Sequence, residues 1–414
     1  MDIIKNYFQA QNKNALIVLV GTVINALVGG IFFIAAPRMI GPENYGLFAV
    51  VISTAILIVN FANLGIDSGI LRFVGEGDYA KSKKILKLAL EIYLAIGIIT
   101  LILGFLLSAQ IAQFFGRGEL TDLFKIAFSA VIFFLLTNFF IAALQARKEF
   151  FKATLVGLLG NSLRLLLLAL AAYFYVVNLY VLTVLFFAVT IVSVFTGAMF
   201  TKFHFLNAQN HRSEFKGFFN YNLWLAASFA ISSFPFDNYL LLKMAGPVAT
   251  GLYAAPLKLF TITDQLAGNY SRVLAPTFAK STKREVAVII KNSLWITVPA
   301  GFVFILLSLA SAPLVTLLLG SEYQYSVPIF SIVAVASIFT FATAIPVSIT
   351  MYFLKNSKAT FLISAIVIIF WLLANLVLIP QFKELGAAYA YLISEILAFL
   401  LFSSYAFRSL LSKK

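Results

Sequence analysis

Windows of roughly twenty apolar residues recur along the whole chain, each long enough to cross the ~30 Å hydrocarbon core of a bilayer. Lipid offers the backbone no hydrogen-bond partner, so such windows must be helices or closed barrels. The runs lack the period-two alternation of a barrel strand, which leaves helices. The pattern predicts spans at 14–34, 46–66, 85–107, 122–144, 153–173, 179–201, 218–241, 252–277, 288–309, 326–350, 359–379 and 385–407. Hydrophobic residues make up 62% of the chain and charged residues 11%, with a mean hydropathy of +0.98. A soluble domain carries about 25% charged residues, and no water-soluble fold hides this much apolar surface. The expected fold class is therefore all-α integral membrane, with twelve transmembrane helices.

A twelve-residue signature occurs twice. Arg38-Met39-Ile40-Gly41-Pro42-Glu43-Asn44-Tyr45-Gly46-Leu47-Phe48-Ala49 is echoed by Lys243-Met244-Ala245-Gly246-Pro247-Val248-Ala249-Thr250-Gly251-Leu252-Tyr253-Ala254, with six identical positions at an offset of 205. Phe115-Gly116 is matched by Leu319-Gly320, and Lys152-Ala153-Thr154 by Lys358-Ala359-Thr360, in nearly the same register. Half of 414 residues is close to that offset, so the chain reads as two fused copies of one six-span unit, an organisation typical of transporters. The halves are placed at 1–206 and 207–414, joined by a polar linker over 202–217. An even number of spans per half leaves the copies parallel, related by an axis along the membrane normal.

The net charge of +14 does not mark a nucleic-acid binder, because of where the charge falls. On the predicted map 22 of the 30 Lys and Arg residues lie in the loops on the side of the termini, five on the opposite side and three within spans. The positive-inside rule then puts both termini in the cytoplasm and the protein in the cell membrane. The basic loops face anionic lipid headgroups.

No loop exceeds about 20 residues on this map, too short for a nucleotide-binding or catalytic domain, which needs about 50 or more. There is no Walker A loop, dinucleotide fingerprint, nucleophile elbow or zinc-helix motif. The chain has no cysteine, hence no disulfide framework and no thiolate metal site. Its two histidines, His204 and His211, fall in the polar linker and read as solvated. The first apolar stretch is full length with no short h-region and cleavage site, so it reads as a retained span. No cofactor or metal is expected.

Ionisable groups inside spans cost about 2.5–3.5 kcal/mol each on insertion scales, so they should face a hydrated cavity or each other. Lys258, Gln265, Asn269 and Arg272 recur at i, i+7, i+11 and i+14, on one face of the eighth span. Ser53, Asn60 and Asp67 repeat that spacing in the second span. Arg164 lies eleven residues into its span, about 16 Å deep at ~1.5 Å per residue, beyond the reach of snorkelling. Glu395 has a similar depth, and Asp237 and Asp264 complete the set. Cavity cations suit a diphosphate, whose oxygens accept charge-assisted hydrogen bonds. The expected substrate-binding residues are therefore Arg164, Lys258, Gln265, Asn269, Arg272 and Asn60, and the carboxylates of Asp237, Asp264, Glu395 and Asp67 are candidates for coupling H⁺ or Na⁺. Interhelical hydrogen bonding and buried charge pairing are the competing roles.

The segment Pro37 to Phe48 resembles the first outer-loop motif of polysaccharide transporters, the Wzx-type lipid-linked oligosaccharide flippases of the multidrug/oligosaccharidyl-lipid/polysaccharide (MOP) superfamily. Asn63-Leu64-Gly65-Ile66 with Arg72, Leu319-Gly320-Ser321-Glu322-Tyr323 and Leu385-Gly386-Ala387-Ala388-Tyr389 are similar to later motifs of that family. The resemblance implies a V-shaped, MATE-like pair of lobes that alternate between inward and outward openings. It also implies a cargo, a polyprenyl-diphosphate-linked oligosaccharide carried to the outer leaflet without covalent chemistry by a monomer. A cation-coupled multidrug exporter of the same fold and a membrane glycosyltransferase or ligase are the alternatives.

Overall fold

A computed structural model describes residues 2–75, 78–209, 234 and 236–411, with side chains described from 21 onward save 22, 269, 272, 273, 276, 279 and 280. The described chain is helical, without a strand. Its long helices are α1 (Asp2–Asn63), α2 (Ile66–Gly75), α3 (Tyr79–Phe114), α4 (Leu120–Ala146), α5 (Phe150–Tyr173), α6 (Leu179–Phe200), α7 (Phe236–Met244), α8 (Gly246–Lys280), α9 (Lys283–Leu309), α10 (Ser311–Leu319), α11 (Val327–Ser348) and α12 (Ser357–Leu411). Among the described residues eight helices are long and apolar enough to cross a membrane. Two of these, α1 and α12, each contain two expected spans, separated by one non-helical residue, Gly41 and Lys383 respectively. The eighth span coincides with the more polar α8. The seventh, 218–241, lies outside the described residues except for its end in α7.

Sequence chemistry accounts for the breaks. Gly41 (φ 73°) and Gly246 (φ 87°) are both left-handed, and each precedes a proline, which disfavours helix at the residue before it and starts a new one. The second marker pair, Gly116 and Gly320, is left-handed too, at φ 67° and 96°. The repeated words in the sequence are thus repeated turns in the backbone. Helix starts carry their own caps: Asp78 accepts from the Lys81 N–H at 3.1 Å, Asn178 from the Val181 N–H at 2.9 Å, and Thr282 with Glu285 forms a capping box.

The chain divides into two compact units. The first comprises Met1–Phe32 with Val50–Pro235, the second Phe33–Ala49 with Phe236–Lys414. The division cuts α1, so the first signature copy packs with the C-terminal helices. In the first unit α2 lies on α3 and α4, over a core that includes Ile70, Ile85, Tyr93, Leu135 and Phe139. The short 3₁₀ turn Phe203–Asn207 inserts Phe205, fully buried, against Phe139 at 5.9 Å. In the second unit α11 packs along α12, α8 and α9. Large apolar side chains elsewhere point outward, among them Trp295 at 81% exposure and Leu309 at 77%. Such surface is stable only against lipid.

One expectation needs correction. The Ser53–Asn60–Asp67 stripe does not run down one helix, because α1 stops at Asn63 and Leu64 (φ 48°) and Gly65 (φ 69°) turn the chain before α2. α8 passes the equivalent point unbroken.

Candidate functional site

Each unit holds its own polar group, and the groups differ in charge. In the first unit Arg164 projects from α5. Its Nη1 donates to Asn161 Oδ1 at 3.0 Å, and Asn161 Nδ2 donates to Asn25 Oδ1 on α1 at 3.3 Å. The guanidinium lies 4.2 Å from the Phe186 ring centroid and 5.8 Å from that of Phe32. Cation–π attraction to these faces contributes about 0.5–2 kcal/mol. Nε is buried without a hydrogen-bond partner, and among the described residues no carboxylate pairs with this cation. Of the five N–H donors of arginine, one is engaged. The arrangement presents a stacked, oriented guanidinium with spare donors, the chemistry that binds phosphate oxygens bidentately.

In the second unit Asp237 on α7 is 4% exposed. Its Oδ2 accepts from the Tyr253 hydroxyl at 2.8 Å and its Oδ1 from the Asn238 N–H at 2.8 Å. Lys258 on α8 is half-buried, 5.6 Å from the Phe33 ring, within electrostatic reach of Asp237 and Asp264. Glu395 on α12 accepts from the Thr340 hydroxyl at 2.9 Å and feels the charge of Asp264. Tyr391 interacts with Glu395, Asp264 and Asp237 together. Two hydrogen-bonded carboxylates, Asp237 with Tyr253 and Glu395 with Thr340, therefore stand on α7, α8, α11 and α12 with Lys258, Asp264 and Tyr391 within electrostatic range. Asp264 and Gln265 are exposed.

The candidates read from the sequence distribute as follows. Lys258, Asp237, Asp264 and Glu395 come together. Arg164 belongs to the other unit and has its own partners there. Gln265 sits beside Asp264 in sequence, and Asn60 is half-buried on α1. The side chains of Asn269 and Arg272 lie outside the described residues. Asp67 joins neither group: the Tyr93 hydroxyl reaches its Oδ1 at 2.6 Å and the Asn63 amide its Oδ2 at 2.8 Å, so it fastens α2 to α1 and α3. Asn25, Asn161, Phe186, Tyr253, Thr340 and Tyr391 were not singled out from the sequence. Asn161 precedes Arg164 by three residues, which is one helical turn, and was legible; the others needed the tertiary fold. A groove of about 600 Å³ among Ile290, Leu294, Pro346, Phe399, Phe407 and Leu410 is apolar and contains none of the candidates.

The family profile described as "Polysaccharide biosynthesis protein" matches residues 12–282. Over 105 residues the chain is 26% identical to the Lipid II flippase MurJ of Bacillus subtilis (strain 168), a stretch that is 24% of this chain and 19% of that relative. Among solved structures, MurJ in an inward closed conformation superimposes with a TM-score of 0.76 at 15% identity, covering 94% of this chain and 87% of the other. An inward-facing multidrug resistance MATE transporter of the MOP superfamily gives 0.77 at 14% identity, covering 94% of both chains.

Proposed function

Because the chain belongs to the polysaccharide biosynthesis protein family and carries the fold of MOP-superfamily transporters, we propose that it moves a polyprenyl-diphosphate-linked oligosaccharide across the cell membrane. The halves 1–206 and 207–414 open alternately to the two sides, with both termini in the cytoplasm. No bond is made or broken. Arg164 binds the diphosphate; Lys258 and Gln265, with Asn60, Asn269 and Arg272, line the path of the headgroup, and the lipid tail stays in the bilayer. The observation that carries this reading is the guanidinium of Arg164, deep in an apolar helix, framed by two aromatic faces and without a carboxylate partner among the described residues. A half-buried cation within a membrane span and without a counter-ion is costly, and an anionic cargo supplies the counter-ion during each cycle.

Asp237, Asp264 and Glu395 are assigned to coupling with H⁺ or Na⁺. Their grouping near Lys258 supports this assignment, since a proton or cation taken up there changes the charge beside a residue on the headgroup path.

Flipping is tested with the purified protein in proteoliposomes, by following a fluorescent polyprenyl-diphosphate oligosaccharide between leaflets. Translocation faster than in protein-free vesicles, abolished in Arg164→Ala, supports the reading. No acceleration, with efflux of cationic dyes instead, favours the second reading, a cation-coupled drug exporter, to which the MATE-like fold and the acidic cluster also lend support.

A further inference from the structure

The two signature copies touch each other. An ideal Cβ built on Gly46 would fall onto the carbonyl oxygen of Pro247 and lie 2.8 Å from the Gly251 nitrogen. One built on Gly251 would fall onto the carbonyl oxygen of Pro42 and lie 3.0 Å from the Gly46 nitrogen. Pro42 and Pro247, like Gly46 and Gly251, are equivalent positions of the repeat, 205 residues apart. The contact is therefore reciprocal: each copy offers its glycine to the proline carbonyl of the other, as in an isologous interface. Where a side chain would stand, each glycine has only a hydrogen aimed at that carbonyl, the geometry of a Cα–H···O contact. Membrane helices approach this closely only where both are small.

The clasp is reinforced from one flank. Arg38 Nη1 donates to the Leu317 carbonyl at 2.9 Å, the Tyr323 hydroxyl reaches the Pro37 carbonyl at 3.4 Å, and a Cβ on Gly41 would stand 3.0 Å from Glu322 Oε2. Ser326, at the end of the same loop, donates to the Leu252 carbonyl at 2.7 Å. The loop between α10 and α11 thus holds the first signature copy from one flank while the second copy seals it from the other. The residues following the glycines, Leu47-Phe48-Ala49 and Leu252-Tyr253-Ala254, are all buried.

We propose that this reciprocal Gly46–Gly251 contact is the latch that closes the transporter on the face opposite the termini, and that its tightness sets the balance between closed and open forms. It presupposes the alternating opening proposed for this transporter. A latch made of two backbones with no side chain between them is all-or-none: it forms only at full contact and holds little once parted. A single added methyl on either glycine prevents that contact.

The chain has no cysteine, so single-cysteine reporters are clean. Glu43→Cys, exposed beside the latch, identifies the face that carries it; Gln265→Cys, on the exposed face of α8, reports access from that face to a membrane-impermeant maleimide in sealed vesicles. Gly46→Ala and Gly251→Ala are each expected to raise the Gln265→Cys labelling rate about tenfold, the shift in closed-to-open ratio expected of overpacking a tight contact. Gly30→Ala, on α1 with nothing within 4 Å of the added carbon, should label like the parent. Arg38→Ala and Tyr323→Phe add no bulk and should shift labelling the same way by less, which keeps the test open should the alanine variants fail to fold. Parental labelling in every folded variant overturns the latch. Flipping is followed in the same variants with Gln265 retained; because labelling needs no cargo, a rise in labelling without glycolipid flipping leaves the latch standing and removes the cargo assignment, and flipping at parental rate with parental labelling does the reverse.

Discussion

Replacing Arg164 by alanine separates cargo binding from folding. The guanidinium has one engaged donor, to Asn161 at 3.0 Å, and a buried Nε without a partner, so a diphosphate gains two charge-assisted hydrogen bonds at about 1.5–3 kcal/mol each. Screening in a hydrated vestibule, with an effective dielectric constant near 20, reduces the total to roughly 2–4 kcal/mol. At about 1.4 kcal/mol per decade that is a weakening of roughly 30- to 700-fold in cargo affinity. Stability should move far less. The lost cation–π contact with Phe186 at 4.2 Å, about 0.5–2 kcal/mol, is offset by no longer burying a charge without a counter-ion. Initial flipping rates at subsaturating glycolipid, alongside thermal melts of the same preparations, read both quantities. Arg164→Lys keeps the charge but loses the planar fork and should fall between parent and alanine. A flipping rate for Arg164→Ala within twofold of parent, with melting unchanged, would show that the guanidinium does not hold the cargo.

Asp237→Ala leaves the Tyr253 hydroxyl and the Asn238 N–H without their buried acceptor and removes a neighbouring charge from the half-buried Lys258, and should cost about 1–3 kcal/mol, whereas Asp237→Asn should fold and lose only the ion dependence of transport. Melting temperatures and flipping under an imposed ion gradient distinguish the two, and equal stability of the alanine variant would refute the buried network. Phe205→Ala empties a fully buried position against Phe139 and should destabilise the first unit by about 3–5 kcal/mol; a melt within 1 °C of parent contradicts that packing. Glu285 has its carboxyl held below the ordinary range by the Thr282 N–H and hydroxyl of the α9 cap. With the folded value lowered, the stabilisation is complete above the ordinary carboxylate pKa of about 4.3 and is lost as pH falls through the lowered value. The protection of first-turn amides of α9, taken relative to their intrinsic exchange rates at each pH, should therefore fall on acidification in the parent and be low at all pH values in Glu285→Ala.

The spans were legible because apolar length alone dictates them, and the breaks at Gly41 and Gly246 because glycine before proline has few other uses. The turns at Lys148 (φ 62°) and Lys355 (φ 52°) recur at an offset of 207, yet lysine carries no turn signal, so they were hidden. Site residues were legible as types and not as groups. Lys258 and Gln265, seven residues apart, fall on one face of one helix, but whether Asp237, Asp264 and Glu395 come near Lys258 depends on how α7, α8, α11 and α12 pack. Nothing in the spacing placed Tyr253 beneath Asp237. Position 67 misled for a related reason: the 205-residue offset aligned Asp67 with Arg272, but the hydrogen bonds of Asn63, Asp67 and Tyr93 stabilise a break that α8 lacks.

That divergence bears on mechanism. Two copies of one unit need not keep two copies of one site, and here Phe32, beside Arg164, is the repeat equivalent of Asp237 in the acidic cluster. The first copy kept an apolar face with a lone guanidinium; the second gathered carboxylates around an ammonium. If the first holds the anion and the second the coupling ion, the two charges load on opposite halves. The backbone elements that stayed identical, the glycine-proline turns and the glycines four residues beyond the prolines, are the ones in reciprocal contact. If that contact is the latch, duplication conserved its chemistry, where symmetry is used, and released the binding chemistry, where it is not. Exchanging the pair, Phe32→Asp with Asp237→Phe, should leave helix content intact and abolish ion-dependent flipping, since each half would then carry the wrong charge; retained coupling in that double variant would contradict the division of roles.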